Sequence, residues 1–230
     1  FYGVDTIELG VQSLDSNVLK LAKRGYEKEV VALASKLIKS FGMVLGHQLM
    51  VGLPGDTEEK DLLSVKESIA MKPDLVRIYP ALVIRDTQME KDYLEGTYEP
   101  YDFERAIKIT WAMMNSYEEN NVKIIRVGLQ PTKEISLEAE VLAGPFHPSF
   151  RELAQSYGLN QRISKEVGDN MEIIIGEKDL STLYAGGKKY FKTINGHKNI
   201  TVTVVPGRLK AKIEIKYNEK GGNCHVSKIN

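Results

Sequence analysis

Residues 47–57 read HQLMVGLPGDT, an apolar run that breaks abruptly into Gly52, Pro54, Gly55 and Asp56. The run has the length of a strand, and Gly and Pro are the residues that punctuate an element. The next residues, EEKDLLSVKESIAM at 58–71, space apolar side chains helically behind an acidic first turn. The stretch is a strand that turns sharply into a helix, and the same unit recurs on both sides of it. TIELGVQ (6–12) leads to KEVVALASKLIKSFG (28–42), and LVRIYPALVI (75–84) leads to ERAIKITWAMMNSYEEN (104–120) and then VKIIRVGL (122–129). Short β-branched runs alternating with helical periods specify an α/β fold with a parallel sheet and covering helices.

Four strands do not close a β/α barrel, which takes about eight. The expectation is that further β/α units precede Phe1 and that the chain is a fragment. Beyond HPSFRELAQSYGLNQRI (147–163), which reads as a helix, the pattern changes to MEIIIG, DLSTLYA, the turn GGKK, YFKTING, ITVTVV and LKAKIEIKY. This is a small β-α-α-β-β unit. The expected domains are residues 1–165, a barrel portion with its extension; 170–217, a small basic α+β module; and 218–230, a flexible tail.

Lys plus Arg and Asp plus Glu each number 31, so the whole chain offers no net field to attract nucleic acid or an anionic membrane. Residues 171–230 nevertheless hold eleven basic against five acidic side chains, a surplus of six, and residues 1–170 carry the matching deficit. Opposite charge in two regions suggests two tasks. The single cysteine, Cys224, cannot form an intramolecular disulfide, and no apolar run reaches the roughly 20 residues that cross a bilayer. A cytoplasmic location is expected.

Parallel β/α sheets place ligand sites at the carboxyl ends of their strands. Those ends hold Gln12 and Ser13, then Gln48 running into GLPGD, then Tyr79 and Pro80. Two readings stay open: Gln12 and Gln48 satisfy loop backbone, or they face a small molecule.

The blocks IELGVQSLDSNVLKLAKRG, GHQLMVGLPGDT and PDLVRIYPALVIRDTQMEKDYLEGTYEPY, in this order, closely resemble the radical S-adenosylmethionine (radical SAM) domain of the Elongator catalytic-subunit family and its shorter bacterial relatives. GVQS and GLP also give a more distant likeness to anaerobic coproporphyrinogen dehydrogenases. The resemblance covers roughly residues 5–155 and implies the C-terminal half of a partial (β/α)6 barrel, TIM-barrel-like, binding S-adenosyl-L-methionine. It implies that Gln12 bonds the ribose or methionine portion of that cofactor and that Arg24 pairs with its carboxylate. Gln48 falls at a ribose-contacting position that is acidic in the porphyrinogen enzymes. Met50 and Ala81 fall at positions flanking the adenine. On this reading GLPGDT bends so that backbone approaches the adenosyl group, with Asp56 or Thr57 capping the next helix; the alternative is a plain strand-to-helix turn.

The same family holds a 4Fe-4S cluster on three cysteines and generates a 5′-deoxyadenosyl radical. One cysteine cannot hold a cluster that takes three or four thiolates, so the cluster is expected only in a full-length parent, and this chain is expected to be inactive alone. No metal ligands are expected here: His47 sits in a strand, His147 precedes Pro148, and His197 and His225 fall in the basic region and tail. Lys188 and Lys189, after Gly186 and Gly187, resemble the basic glycine loop of a KH nucleic-acid module, although the GXXG spacing is not met. A surface lysine cluster without a partner is the other reading. The expected function is tRNA base modification by a radical SAM enzyme with RNA as partner. Oxidation of a small molecule such as a porphyrin precursor, or RNA binding without catalysis, are the alternatives.

Overall fold

The computed structural model describes residues 3–129, 140–166, 169–196, 199–207, 213–218 and 224–229. They group into two compact units, residues 1–151 and 152–230.

The first unit runs β1 (Thr6–Gln12), α1 (Ser16–Leu21), α2 (Lys28–Ser40), β2 (Val44–Val51), α3 (Glu58–Ala70), β3 (Leu75–Pro80), β4 (Val83–Ile84), α4 (Gln88–Leu94), α5 (Phe103–Glu119), β5 (Lys123–Val127) and β6 (Val141–Ala143). Its main sheet has the order β1-β2-β3-β5 with every pairing parallel. LVRIYPALVI is not one strand: β3 stops at Pro80, which has no N–H for a ladder, and β4 pairs antiparallel with β6 instead. The short helices α1 and α4 follow side-chain caps, Asp15 accepting from Val18 N and Thr87 from Glu90 N.

Alternation along β2 assigns the two faces of the sheet. Leu45, His47, Leu49 and Val51 are buried on the helical side, where α2 and α5 lie against the strand and α3 packs on α5. His47 is wholly buried between α2 and α3. Ser35 Oγ donates to Val31 O at 2.7 Å, so its 3.0 Å contact with His47 Nε2 uses the ring's proton. Nδ1 is then the acceptor for Ser68 Oγ at 2.9 Å, and Ser68 accepts from Tyr117 Oη at 2.9 Å. Burial, with Lys39 nearby, pushes the imidazole down to about 4. The other face carries Glu8, Gln48 and Arg77. A Cβ added at Gly46 would lie 2.7 Å from Glu8 Cγ, which puts Gly46 on this face too.

The turn after β2 needs both of its glycines, at φ +76° for Gly52 and +79° for Gly55. A Cβ on Gly52 would sit 2.9 Å from the Tyr101 ring, and one on Gly55 2.4 Å from Leu21 Cδ1. Close approach here is therefore made by the protein's own side chains. Tyr98 Oη donates to Gly52 O at 2.7 Å and Tyr101 Oη to Asp61 Oδ2 at 3.1 Å. Thr57 is the N-cap of α3, accepting from Lys60 N, and Asp56 Oδ1 accepts from Thr57 N at 3.0 Å. The Asp56 and Asp61 carboxyls lie against each other, and burial raises both above the usual carboxylate range. Asp56 Oδ2 and Asp61 Oδ1 are buried with no hydrogen-bond partner among the described residues, and a proton held between the two carboxyls would satisfy both.

The second unit contains most of α6 (Phe150–Ser164), then β7 (Asp169–Gly176), α7 (Glu177–Leu183), α8 (Ala185–Asn195), β8 (Ile200–Val205), β9 (Ile213–Asn218) and β10 (Cys224–Ile229), in a sheet of order β10-β9-β7-β8. Its core gathers Ile163, Met171, Ile173, Ile175, Leu183, Phe191, Ile194, Ile213 and Ile215. Two features depart from the sequence reading. The division falls at Arg151, not near 165, because α6 buries Leu153 and Ile163 and Asn160 Nδ2 donates to Leu183 O at 3.1 Å, whereas Arg151 reaches Ile124 O. Residues 224–229, expected to be a flexible tail, form a strand whose backbone pairs antiparallel along β9.

The pH dependence of stability is set by the two buried systems. His47 titrates at about 4 folded against 6.5 unfolded, so its contribution is complete above 6.5 and is lost as pH falls, by up to about 1.4 kcal/mol per unit. Asp61, raised above 3.8, contributes most at low pH and loses that contribution as pH rises through its folded value. Asp61→Asn, neutral at every pH, is expected to have a higher urea midpoint than the parent at pH 8, with a difference that shrinks toward pH 4. A constant difference across that range would show that the acid pair shares no proton. In the parent, His47→Asn is expected to flatten the decline in stability below pH 6.5.

Candidate functional site

A cavity of 160 Å³ opens where the C-terminal ends of β1 and β2 meet α1 and α4. β1 contributes Gln12, which sits in the left-handed region at φ +61° where the β1–β2 register shifts. Such a backbone costs about 1–3 kcal/mol and occurs where the surroundings hold a side chain in a set direction. Here Tyr26 Oη donates to Gly10 O at 2.6 Å, with Val11 O at 3.0 Å, tying down the irregular segment. A Cβ on Gly10 would lie 3.1 Å from Gln12 Nε2 and 3.6 Å from Arg24 Nη2, so the two polar ends converge beside Gly10. Arg24 is steered by Tyr26, whose Oη accepts from Nε at 3.5 Å.

Met50, near the end of β2, and Leu53 and Pro54 of the turn form one apolar wall, and Met89 of α4 another. Ala81 is 1% exposed and lies beneath them, in a cluster with Val18 and Leu53 against which Met50 and Met89 pack. The structure thus brings Gln12, Arg24 and Met50 onto one cavity, whereas Ala81 is buried behind the lining in the cluster with Val18 and Leu53. Gln48 is not part of the lining. Its Nε2 donates to Glu8 Oε2 at 3.3 Å, and Glu8 is bridged by Arg77, Nε to Oε2 at 2.5 Å and Nη2 to Oε1 at 2.9 Å. The Arg77 hydrogen bonds hold the Glu8 carboxyl below its ordinary range. The missing acidic residue at position 48 thus has a carboxylate beside it on the neighbouring strand.

From the GLPGDT turn it is Leu53 and Pro54, not the glycines, that reach the cavity. Lys23, Gln88, Met89 and Asp92 also line it, and sequence reasoning missed them. The one legible trace was the helix start at Thr87, three residues before Glu90, in the pattern of a capping box: Glu90 N donates to Thr87 Oγ1 at 3.3 Å and Asp86 N to Glu90 Oε2 at 2.8 Å.

In the second unit, Gly186, Gly187 and Lys188 are consecutive left-handed residues at the start of α8. Lys188 and Lys189 are exposed, with their ammonium groups 4.3 Å from the Tyr184 ring centre and 5.7 Å from that of Tyr190. His147 Nδ1 accepts from Ser149 N at 3.0 Å, a capping role; His197 lies outside the described residues. Among the described residues, no three His, Cys, Asp or Glu side chains gather as a metal site, and no helix is long and apolar enough to cross a membrane.

The Radical_SAM C-terminal domain family matches residues 73–158. Over 110 residues the chain is 39% identical to the tRNA uridine(34) acetyltransferase of Methanocaldococcus infernus, a match covering 46% of this chain and 21% of that protein. It is 29% identical over 156 residues to Elongator complex protein 3 of Bos taurus, covering 66% of this chain and 27% of that protein. A solved structure, the archaeal Methanocaldococcus infernus Elp3 lacking its N-terminus, is similar at a TM-score of 0.60 and 29% identity over 70% of this chain and 37% of that one. The chain spans about a fifth of the length of the archaeal acetyltransferases that it matches. The parallel sheet is consistent with a partial radical SAM barrel, and over the matched residues the chain is similar to the Elongator-like radical SAM family.

Proposed function

We propose that the first unit forms one wall of the S-adenosyl-L-methionine site of a radical SAM enzyme that modifies tRNA. The observation that carries this reading is the convergence of Gln12, Arg24 and Met50 on one cavity. Its parts fit the cofactor: a guanidinium, beside Lys23, for the carboxylate; a glutamine for a hydroxyl or amine; and thioethers for the face of the base. The residues of this chain do not fit the iron–sulfur cluster, which takes three or four thiolates where the sequence has one cysteine. A neighbouring β/α unit is the reading supported by the flank of β1, an edge of the sheet beside which α2 exposes Val30, Leu33, Leu37 and Phe41. The tRNA substrate rests on what the relatives act on by name, and the basic turn at Lys188 and Lys189 gives RNA a physical reason to bind.

Titration of the chain with S-adenosylhomocysteine, monitored by calorimetry, tests the cofactor site. Arg24→Met is expected to weaken binding by about tenfold, the loss of a charged hydrogen-bonded partner; an unchanged affinity would remove Arg24 from the site. For RNA, the double change Lys188→Glu and Lys189→Glu is expected to weaken tRNA binding at low salt and to flatten its salt dependence by about one or two charges. Equal retention of tRNA by both proteins in a filter assay would dismiss the turn as an RNA contact.

A further inference from the structure

The wall supplied by α4 differs chemically from the wall opposite. Gln88 and Asp92 are one helical turn apart, and both line the cavity beside Met89. Gln88 Nε2 donates to Asp92 Oδ1 at 2.8 Å. A carboxylate only accepts, so the amide is set with its NH2 toward Asp92, and Gln88 Oε1 keeps its capacity to accept. The position of Asp92 is itself secured, since its carbonyl oxygen accepts from Thr97 N at 2.9 Å and Tyr98 N at 3.1 Å. Tyr98 also holds Gly52 through its hydroxyl, so the acceptor wall and the turn hang on one residue, the first by its backbone N–H and the second by its side chain. Lys23 and Arg24 supply positive charge, and Met50, Leu53 and Met89 supply apolar surface. The cavity therefore suits a ligand with an anionic group, a flat apolar body and hydrogen-bond donors on one edge.

We propose that Gln88 and Asp92 are specificity determinants that accept hydrogen bonds from the exocyclic amino group of a purine and reject a 6-oxo purine. This rests on the adenosyl reading of the cavity. A 6-amino group offers two N–H donors to two acceptors, whereas a 6-oxo group would set lone pairs against lone pairs and leave both protein oxygens without a donor.

The 230-residue chain is titrated with 5′-deoxyadenosine and, separately, 5′-deoxyinosine, and the amide resonances of Gln12, Met50 and Met89 are monitored by NMR. The parent is expected to bind the adenine compound about tenfold more tightly, as one good hydrogen bond would give. In Asp92→Asn the Gln88 amide is free to turn and offer a donor, and the preference is expected to collapse; Gln88→Leu is expected to lower it as well. The remaining spectrum of each variant reports that it is folded. A preference that is unchanged in both folded variants, or absent in the parent although both compounds shift those resonances, overturns the selector and leaves the adenosyl cavity standing. If neither compound shifts them at millimolar concentration, the adenosyl reading falls, and this inference with it.

Discussion

The turn that ends β2 is built on two carboxyls, Asp56 and Asp61, which burial raises above the usual carboxylate range, Asp61 further by the charge of Asp56. Ionising both in the buried pair is costly, which favours one proton between them. The pair lies between the residue before the helix and its first turn, while Tyr101 holds Asp61 and Tyr98 holds the Gly52 carbonyl. The turn is thereby fixed from the side away from the cavity. Leu53 and Pro54 are presented to the cavity as a consequence, without any ligand being needed to shape the loop.

β2 divides two kinds of polar chemistry between its faces. On the helical side His47 is a relay of hydrogen bonds from Tyr117 to the Val31 carbonyl, neutral by burial and closed to solvent. One residue further along the strand, Gln48 points to the opposite face, where Glu8 and Arg77 pair at about three-quarters burial of their side chains. An exposed ion pair contributes little to stability, but this one fixes the direction of the Gln48 amide. Neighbouring residues in one strand thus serve structure and site separately, as a period of two requires.

Much of the architecture was legible before folding. GLPGDT announced a strand-to-helix turn because glycine accepts left-handed torsions without strain, and Thr57, one of the two capping candidates read there, is the N-cap of α3. Two features were not legible. The boundary between the units fell at Arg151, within the helix read over 147–163, and CHVSKI became a strand because β9 offered an edge to pair with. In each case a partner distant in sequence decided the outcome, and local propensity carries no record of it.

The site shows the same division. Sequence alone determined the parallel α/β class, the strand ends where polar side chains collect and the residues of the Elongator-like likeness, because period and turn chemistry are local properties. Only the tertiary structure decided that Gln12, Arg24 and Met50 share a cavity, that Gln48 is held aside by Glu8, and that Gln88 and Asp92 complete the wall. Those residues come from separate strands and helices, and the distance between their side chains is set by the twist of the sheet and by how α4 is tied to Tyr98, which exist only once the chain has closed on itself.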